Sequence, residues 1–106
     1  MQTLKYDKLV RDRIPEIIRE AGSDCRVHSV RDSELTHYLA MKMQEETTEF
    51  INDPSVEEAA DIYEVFLTLL RTWNIDMSDV VFKAEDKRQS RGGFTQGIVL
   101  DEVSKN

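Results

Sequence analysis

Four acidic residues, Glu46-x-x-Glu49 and Glu58-x-x-Asp61, recur at one-turn spacing in consecutive segments and fall on stripes that are otherwise apolar. From Ser33 to Asn52, the residues Leu35, Leu39, Met43, Glu46, Glu49 and Phe50 follow the three- and four-residue steps of one helix face. In the next segment Glu58, Asp61, Ile62, Val65 and Leu69 share a face, and Ala59, Phe66 and Leu70 widen its apolar sector. Carboxylates gathered away from water repel one another and lose hydration, so they must take up protons or bind a cation. Oxygen donors of this kind suit hard divalent ions, Mg²⁺ first. Glu45 sits about 100° around the helix from Glu46 and is placed to flank such a site without being a ligand. Two plainer readings compete: acids at this spacing are common on solvated helix faces, and Ser55-x-x-Glu58 is also a capping box, which gives Glu58 a local task.

The elements that must position these acids can be read from breakers and caps. Pro15 fits the first turn of a short helix running through Glu20 and Ala21, with Ile14, Ile17 and Ile18 on its apolar side and Gly22 as its stop. Residues 25–30 alternate loosely and predict a brief strand, after which Asp32 or Ser33 can cap the long second helix. Asn52-Asp53-Pro54 ends that helix and opens the third, with Pro54 in its first turn. Such a tight link makes the two helices antiparallel neighbours with their acidic doublets facing each other near the shared end. The third helix ends around Trp73-Asn74. Asp76 or Ser78 can cap a fourth helix that carries Val80, Val81 and Ala84 and then the cations Lys83, Lys87 and Arg88. Gly97 to Leu100 predicts a short final strand. The reading is a mainly α fold, an antiparallel helical bundle with one or two short peripheral strands, in a single domain of residues 1–106.

Composition narrows the function classes. The chain has 106 residues, 33% of them charged, and a net charge of −7. With a pI near 4.8 it lacks the clustered positive charge that nonspecific nucleic-acid binding requires, so no nucleic-acid partner is expected. No stretch reaches the roughly 18 apolar residues of a membrane span, and charges near the start stand where a secretion signal needs an apolar run. A soluble, cytoplasmic protein is the expectation. Cys25 is the single cysteine and reads as a small core hydrophobe. The wide apolar sector of the third helix calls for a second packing surface, hence a homodimer or higher homo-oligomer, unless the chain itself surrounds that helix.

Basic residues supply a counterpart to the acids. Lys83, Lys87, Arg88 and Arg91 converge on Gly92-Gly93, a composition suited to anions and equally suited to a helix stop with cations offsetting the helix dipole. Lys8, Arg11 and Arg13 add three cations near the start, readable as anion ligands or as solubilising charge. Glu34-x-x-His37 has the spacing of a di-iron ligand pair, but such a site needs the motif on two helices.

Together these residues resemble a known family. Glu45-Glu46-x-x-Glu49 followed by Glu58-x-x-Asp61 is similar to the signature of the MazG-like all-α nucleoside triphosphate pyrophosphohydrolases. Tyr6-Asp7-Lys8-Leu9-Val10-Arg11-Asp12-x-Ile14-Pro15 and Arg91-Gly92-Gly93-Phe94-x-x-Gly97 resemble a small-protein branch related to phosphoribosyl-ATP pyrophosphohydrolases. The resemblance implies a Mg²⁺-dependent hydrolase, with Mn²⁺ as an alternative ion, that cleaves a nucleotide between its α and β phosphates. It implies Glu46, Glu49, Glu58 and Asp61 as metal ligands and Glu45, Glu46 or another motif acid as the group that activates water. Lys83, Lys87 and Arg91, with Lys8 and Arg11, become the candidates for phosphate. The spacer from Phe50 to Glu57 is shorter than is typical of that superfamily. The competing class is a noncatalytic helical interaction module whose acidic patch binds cations.

Overall fold

A computed structural model describes residues 2–105; the end residues 1 and 106 of the expected single domain lie outside them. The described residues contain four helices and no strand, α1 (Ile14–Glu20), α2 (Asp32–Asn52), α3 (Val56–Thr72) and α4 (Met77–Arg91). They divide into two compact units, one ending at Asn74 and the other beginning at Ile75.

In the first unit, α1 starts on Pro15 in its first turn. Gly22, at φ +96°, takes the left-handed conformation that ends it and donates its N–H to the Arg19 carbonyl at 3.1 Å. The segment after α1 is tied back by Arg19, which donates to the Cys25 carbonyl at 3.1 Å. Cys25 itself is half-buried, its thiol 3.9 Å from the Pro15 carbonyl.

α2 and α3 form the principal helix pair. Only residues 53–55 separate them, so two packed helices so joined run antiparallel. Leu39 of α2 and Val65 and Leu70 of α3 are the buried apolar residues among those described. Leu35, Met43, Phe50, Ile62, Phe66 and Leu69 are half-buried around them, as the periodicity requires.

The caps depart from expectation at two points. α2 begins without a side-chain cap, because Asp32 lies at φ +57° and its carboxylate turns toward Arg31, 4.0 Å away. Pro54 precedes the cap instead of standing in the first turn of α3, since Ser55 is the N-cap and accepts from the Glu58 N–H at 3.1 Å. Pro54 still prevents α2 from continuing.

In the second unit, α4 is capped by Asp76, which accepts from the Ser78 N–H at 3.1 Å and the Ser78 hydroxyl at 2.9 Å. These two bonds hold the Asp76 carboxyl below the usual range. Gly92, at φ +83°, terminates α4 and donates to the Arg88 carbonyl at 2.8 Å. The expected strands at 25–30 and 97–100 are not formed among the described residues. Each unit offers one such segment, and an extended segment becomes a strand only by pairing with a neighbour. No helix among the described residues is long and apolar enough to cross a membrane.

Candidate metal centre

The acidic doublets meet where α2 and α3 pack. One oxygen from each of Glu46, Glu58 and Asp61 lies within 4.8 Å of the others, and Glu45, Glu46 and Glu49 form a second such group. Glu46 belongs to both. Helical geometry produces this arrangement: Glu46 stands two turns before the end of α2, and Glu58 and Asp61 occupy the first two turns of α3, so the antiparallel link brings them level.

Burial separates the acids into two kinds. Glu46 is 5% exposed, in line with the apolar stripe that leads to it from Leu39. Glu58 and Asp61 are half-buried, whereas Glu49 is exposed and stands at the margin of the stripe. Glu45, half-buried, does offer an oxygen to the second group, closer to a ligand position than its angle from Glu46 suggested.

Two carboxylate oxygens, Glu46 Oε2 and Glu58 Oε2, are buried without a hydrogen-bond partner. Buried acceptors are almost always satisfied, and leaving one unpaired is costly. Glu58 is informative here. Ser55 caps its N–H, but the Glu58 side chain does not complete the capping box, and one of its oxygens is left to the cluster. Desolvation, and next the nearby Glu49 charge, push the Glu46 carboxyl above its ordinary value, with Lys42 acting in the opposite direction. This set of crowded oxygen donors with unsatisfied lone pairs fits a hard divalent ion.

Three cations border the cluster. Lys42 Nζ lies 3.4 Å from Glu46 Oε1 and 3.7 Å from Glu45 Oε1. Sequence reasoning missed Lys42, although its position three and four residues ahead of two acids puts all three on one helix face. Lys8 Nζ lies 3.5 Å from Glu45 Oε1, and Arg11 Nη2 donates to Asp61 Oδ1 at 2.8 Å. Lys8 and Arg11 thus stand at the acids themselves.

The other basic candidates belong to the second unit. Lys83 and Lys87 line a shallow recess of about 400 Å³ with Ile75, Asp79, Val80 and Ala84. Lys83 is 3.9 Å from Asp86. Arg91 begins a second recess of about 350 Å³ that continues along Gly92 to Val99. Gly92 and Gly93 have open space where a Cβ would stand, so the positive φ of Gly92, as a helix stop, accounts for glycine there. Both histidines are exposed, and His37 packs edge-on to Tyr38 with ring centroids 6.0 Å apart. Comparison with known proteins finds no matching family model, no matching curated protein and no matching solved structure.

Proposed function

We propose that the α2–α3 acidic cluster is the Mg²⁺ site of a cytoplasmic nucleotide pyrophosphohydrolase of the MazG-like kind. The observation that carries the reading is the pair of buried, unpartnered oxygens on Glu46 and Glu58. A chain that folds around such atoms needs a proton or a cation there. Glu46, Glu58 and Asp61 are the inner ligands, and Glu49, on the exposed margin, completes the set from the solvent side. Mg²⁺, or Mn²⁺ in its place, would neutralise phosphate charge and lower the pKa of a bound water. Water adds across the α–β phosphoanhydride bond, giving a nucleoside monophosphate and pyrophosphate. Glu45, 3.5 Å from Lys8 and 3.7 Å from Lys42, is the acid assigned to accept the proton that water loses. Lys8 and Arg11, which stand at the acids, are the cations available to the phosphates there, while Lys83, Lys87 and Arg91 stay candidates by the resemblance alone. A nucleoside triphosphate or a phosphoribosyl-ATP-like nucleotide is the substrate class.

Self-association belongs to the same proposal. α3 exposes Val56 at 83% and Tyr63 at 53% while its opposite face packs on α2, leaving apolar surface for a second copy of the chain. Sedimentation equilibrium should give the dimer mass; a monomer at all concentrations contradicts this part.

The noncatalytic reading also has an observation in its favour, since Lys8, Arg11 and Lys42 already compensate part of the acidic charge. Incubation with a panel of nucleoside triphosphates and phosphoribosyl-ATP, with and without Mg²⁺, separates the two. Monophosphate plus pyrophosphate formed only with Mg²⁺ is the expected outcome. Inorganic phosphate alone contradicts the bond assignment, and no product across the panel favours the interaction module.

A further inference from the structure

The contact between Arg11 and Asp61 joins residues fifty positions apart, and it falls on a carboxylate that the proposed metal needs. The segment that carries Arg11 is built to reach it. Asp7, at φ +75°, takes a backbone conformation uncommon outside glycine and accepts the Tyr38 hydroxyl at 2.7 Å, which ties the segment to α2. Leu9 is half-buried, and the Arg11 carbonyl accepts from the Ile14 N–H at 3.0 Å where α1 begins. Between these two fixed ends, Lys8 reaches Glu45 and Arg11 reaches Asp61, one cation to each acidic group.

We infer that residues 7–11 form a displaceable cationic strap that occupies the acidic cluster until a divalent ion takes its place. The inference rests on the metal reading above and adds a competition that sets the affinity of the site. An ion ligated by Asp61 lies close to a guanidinium bonded to the same carboxylate, and like charges at that range repel. The strap is suited to yield. The side chains of Arg11 and Asp61 are 55% and 38% exposed, those of Lys8 and Glu45 46% and 35%, and ion pairs this open to water hold weakly. Once released, Arg11 and Lys8 are free cations at the edge of a metal site, available to an anionic ligand such as a phosphate group. The tether at Tyr38 keeps them nearby.

Binding competition is reciprocal: the factor by which the ion weakens the hold of Arg11 equals the factor by which Arg11 weakens the ion. Titration of the full chain with Mn²⁺ alone, without nucleotide, measures it directly by calorimetry or by the loss of free-ion electron paramagnetic resonance signal. Arg11→Gln should bind Mn²⁺ roughly five- to tenfold more tightly than wild type, and Arg11→Lys, which keeps the charge, should stay near wild type. Added KCl should narrow the difference, because an exposed pair is screened. Tyr38→Phe removes the tether without altering any charge at the cluster, and tighter Mn²⁺ binding is expected there too. It also serves if Arg11→Gln folds poorly by circular dichroism. Mn²⁺ affinity unchanged or reduced in both Arg11→Gln and Tyr38→Phe, with wild type binding normally, overturns the strap and leaves the metal site standing. Absence of Mn²⁺ binding in every protein, wild type included, overturns both.

Discussion

Replacing Glu46 with glutamine keeps the shape of the most buried acid in the cluster and removes its charge. At separations up to 4.8 Å, an effective dielectric constant of about 20 puts each carboxylate–carboxylate repulsion at about 3.5 kcal/mol. On the same scale Lys42, 3.4 Å from Glu46, contributes an attraction of about 5 kcal/mol. Removing the repulsion of Glu49 and Asp61 together therefore outweighs the loss of Lys42 by about 2 kcal/mol. Water around the half-buried Asp61 and Lys42 reduces every contribution, so metal-free Glu46→Gln should be about 1–2 kcal/mol more stable than wild type near neutral pH. For a chain of this size the melting temperature should rise by roughly 5–15 °C, measured in EDTA by circular dichroism. The sign of the pH dependence follows from the raised Glu46 pKa. The folded protein binds this proton more tightly than the unfolded chain, so wild type loses stability as pH rises from the ordinary value of 4.5 through the raised one. The advantage of the variant should be complete above the raised pKa and should vanish below the ordinary value, where wild type is protonated. A variant less stable than wild type at neutral pH, or an advantage independent of pH, would refute the crowded-carboxylate account.

Ser55→Ala removes the oxygen that accepts the Glu58 N–H and should cost about 1 kcal/mol in urea unfolding; no change would mean that water replaces the cap. Gly92→Val forces a β-branched residue to φ +83° and should cost at least about 1–2 kcal/mol, seen as a lower melting temperature, while Gly93→Ala, with open space around it and no positive φ, should cost much less. If Lys87 and Arg91 bind phosphate, Lys87→Ala or Arg91→Ala should weaken calorimetric binding of a nonhydrolysable triphosphate analogue by about 1.5–3 kcal/mol and leave Mn²⁺ binding without nucleotide intact; unchanged analogue binding would assign α4 its cations as a helix end only.

The α2–α3 pair and its carboxylates were legible because both rest on a local period. Leu39, Glu46, Val65 and Leu70 lie on stripes that three- and four-residue steps reveal, and the Pro54 break sets the helices antiparallel. Glu49 follows the same steps yet is exposed, because a helix face has margins that spacing alone does not locate. Lys8 and Arg11 were legible as cations but not as neighbours of Glu45 and Asp61. Irregular chain has no period, and a contact across fifty residues depends on how α1 and the segment around Asp7 place it. The segments at 25–30 and 97–100 have strand-like composition, but a strand is a property of a pair, which a short apolar run does not disclose.

The central claim is that Glu46, Glu58 and Asp61 hold a divalent ion, and crystals grown with Mn²⁺ test it most directly through an anomalous difference map. The expected result is a peak ligated by oxygens of Glu46, Glu58 and Asp61, with the formerly unpartnered Oε2 atoms of Glu46 and Glu58 turned toward it. A map without a peak at these residues, with Arg11 still bonded to Asp61 and Mn²⁺ in excess, would contradict it.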